Sequence, residues 1–139
     1  MASRILAGQC CCGAVAYEVS DEFLYAANCH CANCRAATGS AFKPFAGIEG
    51  SKLSITRGAD KLLTYSTPPN ADIRCAVCGS YLYAVVGEKV HVSLGTLRDV
   101  PSIRPTEHIF VGSKAPWYTI NDDLPQYARH ATDGPPINR

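Results

Sequence analysis

The sequence predicts a mainly β fold with one short helix. Eleven Gly and nine Pro are scattered through its 139 residues and cut the chain into short apolar runs, several of which alternate with period two and none of which sustains a helical period. The first candidate strand, residues 14–19, shows the alternation in Val15, Tyr17 and Val19. Further strand-like runs follow at 25–29, 41–48, 52–56, 62–65, 73–75, 81–86, 90–94 and 108–111. The one helical stretch is 32–38, entered through a cysteine pair and stopped by Gly39. From Gly112 onward Pro116, Pro125, Pro135 and Pro136 exclude long regular structure. Trp117, Tyr118 and Tyr127 dock this segment on the body, and residues 131–139 are expected to fray.

At 14.9 kDa the chain has the size of one domain, with a core expected over about residues 8–127. Hydrophobic residues are 47% and charged residues 18% of it, a balance that excludes both a disordered chain and a membrane protein. A net charge of +1 leaves no broad basic surface for phosphate backbones, so nucleic acid is not an expected partner. The N-terminal stretch Met-Ala-Ser-Arg-Ile-Leu-Ala-Gly lacks the apolar core of a secretion signal, and a cytoplasmic location is expected. In that reducing compartment clustered thiols bind metal more often than each other.

Eight cysteines carry the functional signal. They fall into Cys10, Cys11 and Cys12; Cys29, Cys31 and Cys34; and Cys75 and Cys78. A Cys-x-x-Cys pair in a tight turn delivers two sulfurs to one zinc ion, and Gly79 lets the turn at Cys75 and Cys78 close without steric cost. In extended backbone, positions two apart share a face. Cys10 and Cys12 then chelate together with Cys11 pointing away, and Cys29 and Cys31 do the same with His30 turned outward, beyond the ligands or at the surface. Seven thiols remain, and a closed structural site takes four of them; three protein ligands with an open position are the mark of a catalytic zinc. Spacing permits two partitions. One joins Cys31 and Cys34 to Cys75 and Cys78; the other joins Cys10 and Cys12 to Cys75 and Cys78, leaving the compact triplet as the open site. The second is preferred, because the triplet wraps an ion locally and only one long loop must be closed. Clustered cysteines in a small β domain are also commonly structural throughout, and exchanging thiols are a third reading.

Three segments in order, Gly8-Gln9-Cys10-Cys11-Cys12-Gly13-Ala14-Val15, Cys29-His30-Cys31-Ala32-Asn33-Cys34-Arg35 and Cys75-Ala76-Val77-Cys78-Gly79-Ser80, resemble the glutathione-dependent formaldehyde-activating enzyme family. The stretch from His108 to Trp117 resembles that family's C-terminal pattern. The resemblance implies a small zinc-bound β-tent of antiparallel sheets. It also implies two Zn²⁺ ions: a structural one on Cys10, Cys12, Cys75 and Cys78, and a catalytic one on Cys29, Cys31 and Cys34. The activity implied is that of a carbon–sulfur lyase which forms or cleaves a thiol–aldehyde adduct such as S-hydroxymethylglutathione. Its partners would be a small thiol such as glutathione and a small aldehyde. The alternative is a zinc-stabilised protein-binding module without catalysis.

Around the triplet, Arg35 is the candidate for a bidentate contact to a substrate carboxylate, with Lys114 as a second cation. Lys43 reads as a solvated surface lysine. Trp117 is either a core anchor or a wall of the substrate cleft. His91 and His108, inside strand-like runs, read as structural rather than as general bases, Cys11 as a small buried hydrophobe, and Asp122 and Asp123 as a turn and not a catalytic pair, since nothing in the sequence places them near the metal.

Overall fold

The computed structural model describes residues 4–67 and 69–139. The first three residues of the N-terminal stretch, on which part of the leader reading rests, lie outside the described residues. The described residues form ten strands in two sheets and one α-helix, and the chain divides into two compact units.

The first unit comprises the described residues up to Tyr25 together with Ala46–Ile103. Its three-stranded sheet is built from β1 (Ile5–Gln9), β2 (Ala16–Ser20) and β5 (Leu53–Arg57), in the order β1-β2-β5 and antiparallel throughout. Strands β6 (Leu62–Tyr65), β7 (Asn70–Cys75), β8 (Tyr81–Val86) and β9 (Lys89–Ser93) form an antiparallel meander.

Alternation places Leu6 on the inner face of β1 and Tyr17 and Val19 on that of β2, where they meet Val15, Ile48, Ile73, Leu82 and Val92 in one core. Each fully buried aliphatic side chain there contributes about 1.5–3 kcal/mol. Gly8 pairs with Tyr17, and a Cβ on Gly8 would lie 2.2 Å from the Tyr17 ring; glycine is required because the ring crosses the neighbouring strand to reach Thr96, with 2.6 Å between the hydroxyls. Strand β1 is absent from the sequence reading. Its Ala7 and Gly8 are weak strand formers, and its place is set by Tyr17 and by Asp99, whose carboxylate accepts the Ala7 amide at 2.8 Å.

The second unit comprises Ala26–Phe45 and Arg104–Arg139. It holds most of β3 (Tyr25–Cys29), α1 (Ala32–Thr38), the start of β4 (Lys43–Glu49) and the two-residue β10 (His108–Ile109). β10 runs parallel to β3, with His108 opposite Asn28 and Ile109 opposite Cys29. Cys31 caps the start of α1, its sulfur accepting the Cys34 amide at 3.2 Å, and the amides of Gly39 and Ser40 return to the Arg35 carbonyl at 2.8 and 3.3 Å. Ala27, Cys29, Phe45 and Ile109 form the core of this unit, with Cys31, Cys34, Phe110 and Tyr127 packed against it.

The Pro-spaced C-terminal segment is tied in by backbone bonds. The Tyr127 amide donates to His108 at 2.8 Å and the Phe110 amide to Arg129 at 3.0 Å. Beyond Ala131 the chain makes a short 3-10 turn, Ala131–Asp133, and the Ile137 amide donates to Gln126 at 2.7 Å. No helix among the described residues is long and apolar enough to cross a membrane.

Candidate metal centres

The first unit gathers Cys10, Cys12, Cys75 and Cys78, whose sulfurs all lie within 4.8 Å of one another. Two turns produce the group. Residues 10–13 form one, closed by the Gly13 amide on the Cys10 carbonyl at 3.2 Å, and residues 75–79 form the other, closed by the Gly79 amide on the Cys75 carbonyl at 2.8 Å. Gly13 and Gly79 take left-handed φ values of 80° and 82° at the turn ends, which any other residue would adopt under strain. The extended backbone expected at Cys10–Cys12 is therefore corrected to a turn. Cys10 and Cys12 share a side because the chain folds back, and Cys11 is exposed rather than buried because it sits at the bend.

The donor set fits a zinc ion. Four thiolates at about 2.3 Å from a tetrahedral centre lie roughly 3.8 Å from each other; Cys10 and Cys12 are 3.7 Å apart and Cys12 and Cys75 are 3.9 Å apart. Backbone amides point at three of the sulfurs, Val15 at Cys10, Ala14 at Cys12, and Val77 and Cys78 at Cys75, at 3.3–3.5 Å, as suits acceptors that carry negative charge. The Ser80 hydroxyl, 3.2 Å from the sulfur, brings the Cys78 thiol down to about 5. Cys12 is pushed up to about 11: the Ala14 amide lowers it, but burial and the neighbouring thiols prevail. Thiols this close compete for one negative charge, and a dication is what allows all four to ionise.

The second unit gathers Cys29, Cys31 and Cys34 within 4.8 Å. Cys29 ends β3, Cys31 stands in extended conformation at the helix cap, and Cys34 follows one turn into α1. Among the described residues no fourth His, Cys, Asp or Glu joins them. The Cys34 hydrogen bond holds Cys29 below the usual thiol range, and the same bond, with burial, raises Cys34. Lys43 acts on Cys34 in the opposite sense through its charge. Expected to be solvated, Lys43 is instead 4% exposed, its ammonium 5.9 Å from the centre of the Phe45 ring. A β-strand enclosed on both faces leaves a lysine no route to solvent.

His30 does turn away from the thiols, but into the protein rather than to the surface. It is fully buried, its ring centre 5.0 Å from those of both Phe42 and His108, and its Nε2 is 2.9 Å from His108 Nδ1. His108 Nε2 in turn meets both Asp122 carboxylate oxygens at 3.0 Å. Burial, followed by the His108 and Lys114 charges, lowers the His30 imidazole to about 4. For Asp122, burial raises the carboxyl, but the bonds from His108 and Leu124 outweigh it and the group is held low. Asp122 is therefore no remote turn residue. Sequence spacing does not connect positions 30, 108 and 122; only the parallel register of β3 and β10 does.

The remaining candidates fall around the same unit. Arg35 is half-buried, and its Nε is enclosed without a hydrogen-bond partner among the described residues. Lys114 donates to the carbonyls of Ala115, at 3.0 Å, and Tyr118. Trp117 is 71% exposed, so the core-anchor reading fails: the turn over Ala115–Tyr118 buries Ala115 and turns the indole out. In the first unit, the Tyr25 hydroxyl meets His91 Nε2 at 2.6 Å.

None of the curated proteins compared matches the chain. A crystal structure of a Rhodobacter sphaeroides protein matches at TM-score 0.57 with 30% sequence identity, covering 69% of this chain and 91% of that one. The family described as Glutathione-dependent formaldehyde-activating enzyme matches residues 5–113, a span that contains both cysteine groups and both members of the His30–His108 pair. With its two thiol groups, the chain belongs to the glutathione-dependent formaldehyde-activating enzyme family.

Proposed function

We propose that the chain is a zinc-dependent carbon–sulfur lyase that forms or cleaves a thiol–aldehyde adduct such as S-hydroxymethylglutathione. The observation that carries this reading is the unequal pair of thiol groups, four in one unit and three in the other. Cys10, Cys12, Cys75 and Cys78 would hold a structural zinc, and Cys29, Cys31 and Cys34 a catalytic one. A zinc ion at the triplet, short of one ligand, supplies Lewis acidity and favours the thiolate form of an incoming thiol. A completed second set of four ligands would have favoured a protein-binding module, and the triplet does not favour it.

In the forward direction a sulfur–carbon bond forms, the carbonyl π bond breaks, and the thiol proton ends on the new hydroxyl; cleavage is the reverse. Cys29, Cys31 and Cys34 set the reacting position. Lys43, buried beside Cys34, offsets part of the thiolate charge. Arg35 offers a half-buried guanidinium to a substrate carboxylate, Lys114 adds a second cation, and Trp117 presents an exposed indole as a wall for the bound thiol. Eight unpaired thiols suit a reducing compartment such as the cytoplasm.

The test is exchange spectroscopy on ¹³C-formaldehyde with glutathione. Zinc-loaded protein is expected to accelerate adduct exchange above the uncatalysed rate, and Cys31→Ser to abolish the gain. Exchange at the uncatalysed rate in fully loaded protein would overturn the reading.

A further inference from the structure

With His108 and His30 both neutral, the hydrogen-bond chain from Asp122 to His30 has one proton order. A carboxylate only accepts, so His108 presents an N–H at Nε2 to Asp122, whose two oxygens both lie 3.0 Å away. A neutral imidazole holds one proton, which leaves His108 Nδ1 bare. His30 must then donate from Nε2 across the 2.9 Å contact, and its own Nδ1 is bare as well. That atom is buried and has no partner among the described residues.

Burying two imidazoles, at 0% and 1% exposure, and leaving one acceptor unsatisfied costs stability that an apolar pair would not cost. The arrangement persists at one place, between two ligand candidates. His30 sits between Cys29 and Cys31, and its amide is already bound to Ile109 O at 3.0 Å. The imidazole bond adds a second attachment from the same residue to the 108–122 segment. Three thiols must keep their spacing without a fourth to close the set, so their backbone needs support from outside the set.

We propose that Asp122 is a positioning residue for the Cys29, Cys31 and Cys34 site: through His108 it fixes the tautomer of His30 and thereby holds the backbone between the first two thiols. This rests on the reading of the triplet as a metal site. Asp122 touches none of the thiols, and its side chain is 45% exposed, so replacing it leaves the core intact.

The isosteric change Asp122→Asn makes a specific test. Oδ1 of Asp122 also accepts the Leu124 amide at 3.1 Å, which holds the side-chain oxygen of Asn in that place and turns its NH₂ toward His108. The NH₂ then stands in the place of one of the two oxygens 3.0 Å from His108 Nε2, while Oδ1 keeps its own 3.0 Å contact, so the preference for Nε2–H weakens and the order with Nδ1–H on both imidazoles becomes populated. Two-bond ¹⁵N–¹H correlation of the imidazoles reads the tautomers directly, in metal-free and loaded protein. ¹¹³Cd loading gives separate resonances for the four-thiol and three-thiol sites, so that chelator-driven release can be followed at each.

The expected result is Nε2–H on both histidines in the parent and a shift toward Nδ1–H on both in Asp122→Asn. Release from the triplet should be faster by about tenfold, with release from the four-thiol site and the melting temperature unchanged; Asp122→Glu should restore the parent tautomers and slow release again. Parent tautomers other than Nε2–H, tautomers unmoved in Asp122→Asn, or shifted tautomers with unchanged triplet release would overturn the proposal. A parent that takes up only one metal would overturn it together with the metal reading of the triplet. A parent that holds two metals and responds as expected, yet does not accelerate adduct exchange, would leave the positioning role standing and remove only the proposed reaction.

Discussion

Cys12 and Cys75 place their sulfurs 3.9 Å apart across 63 residues of chain. Closing a loop of that length costs entropy that the two turns recover only in part, since Cys10 and Cys75 are buried but Cys12 and Cys78 are exposed. A metal held jointly returns about 10–16 kcal/mol of apparent binding free energy, enough to decide whether the first unit folds.

Cys75→Ser is therefore expected to abolish the cooperative melt. Cys75 is fully buried and accepts the Val77 and Cys78 amides at 3.3 and 3.4 Å, so its loss removes both a proposed zinc ligand and the acceptor that shapes the turn. Thermal denaturation with metal analysis checks this. A melt close to the parent's with full metal content would show that Cys75 is not a structural ligand.

Cys11→Ala should leave both metals in place. Cys11 lies at the bend of the Cys10–Gly13 turn with its side chain exposed and outside the four-thiol group, and its backbone amide, which donates to Ser80 Oγ at 2.8 Å, survives the substitution. The expected change in stability is within about 0.5 kcal/mol, as for other surface replacements. Loss of a metal equivalent would mean that Cys11 takes part in binding.

What the sequence revealed and what it hid differ in how locally they are determined. The helix at 32–38 and the strands at 25–29, 62–65 and 81–86 appear with the expected ends, because each is bounded by its own turn or cap. The local cysteine pairs were legible as well, since Cys-x-x-Cys and Cys-x-Cys spacings bring sulfurs together at short range, although Cys10 and Cys12 meet through a turn and their joining to Cys75 and Cys78 across 63 residues was a choice between two partitions. β1 was not legible, because a strand containing Ala7 and Gly8 makes sense only once Tyr17 is known to lie across it. The pairing of His30 with His108 depends on β3 and β10 meeting in parallel over two residues, a contact with no local signature, and the burial of Lys43 depends on what covers β4.

Acid should expose a separate dependence in the first unit. Asp21 accepts the Ser102 hydroxyl and amide at 2.6 and 3.0 Å and the Arg4 guanidinium at 3.0 Å. Burial raises its carboxyl, but these bonds together outweigh burial and hold it below the usual carboxylate value. A depressed folded value means that the contribution is fully present above the unfolded pKa of about 3.9 and is lost as pH falls through the folded one. Asp21→Asn should lower the melting temperature at neutral pH, and the gap from the parent should close in acid. A gap of equal size at both ends of the titration would show that the carboxylate charge contributes nothing.

Cys31→Ser should separate folding from chemistry. Cys31 has two roles, as a thiol of the triplet and as the cap of α1, where its sulfur accepts the Cys34 amide at 3.2 Å. Serine is among the preferred residues at that position, so the cap is kept while the soft ligand is lost. The four-thiol group lies in the other unit and its closure is untouched. The expected variant is folded, carries one metal and no longer binds a thiol in calorimetric titration with glutathione, because the group that converts the thiol to thiolate near neutral pH has gone. Its melt should stay far closer to the parent's than that of Cys75→Ser. If it unfolded as completely as Cys75→Ser, the triplet would be structural and the proposed lyase would lose its physical basis; if it kept both metals, Cys31 would be a helix cap and nothing more.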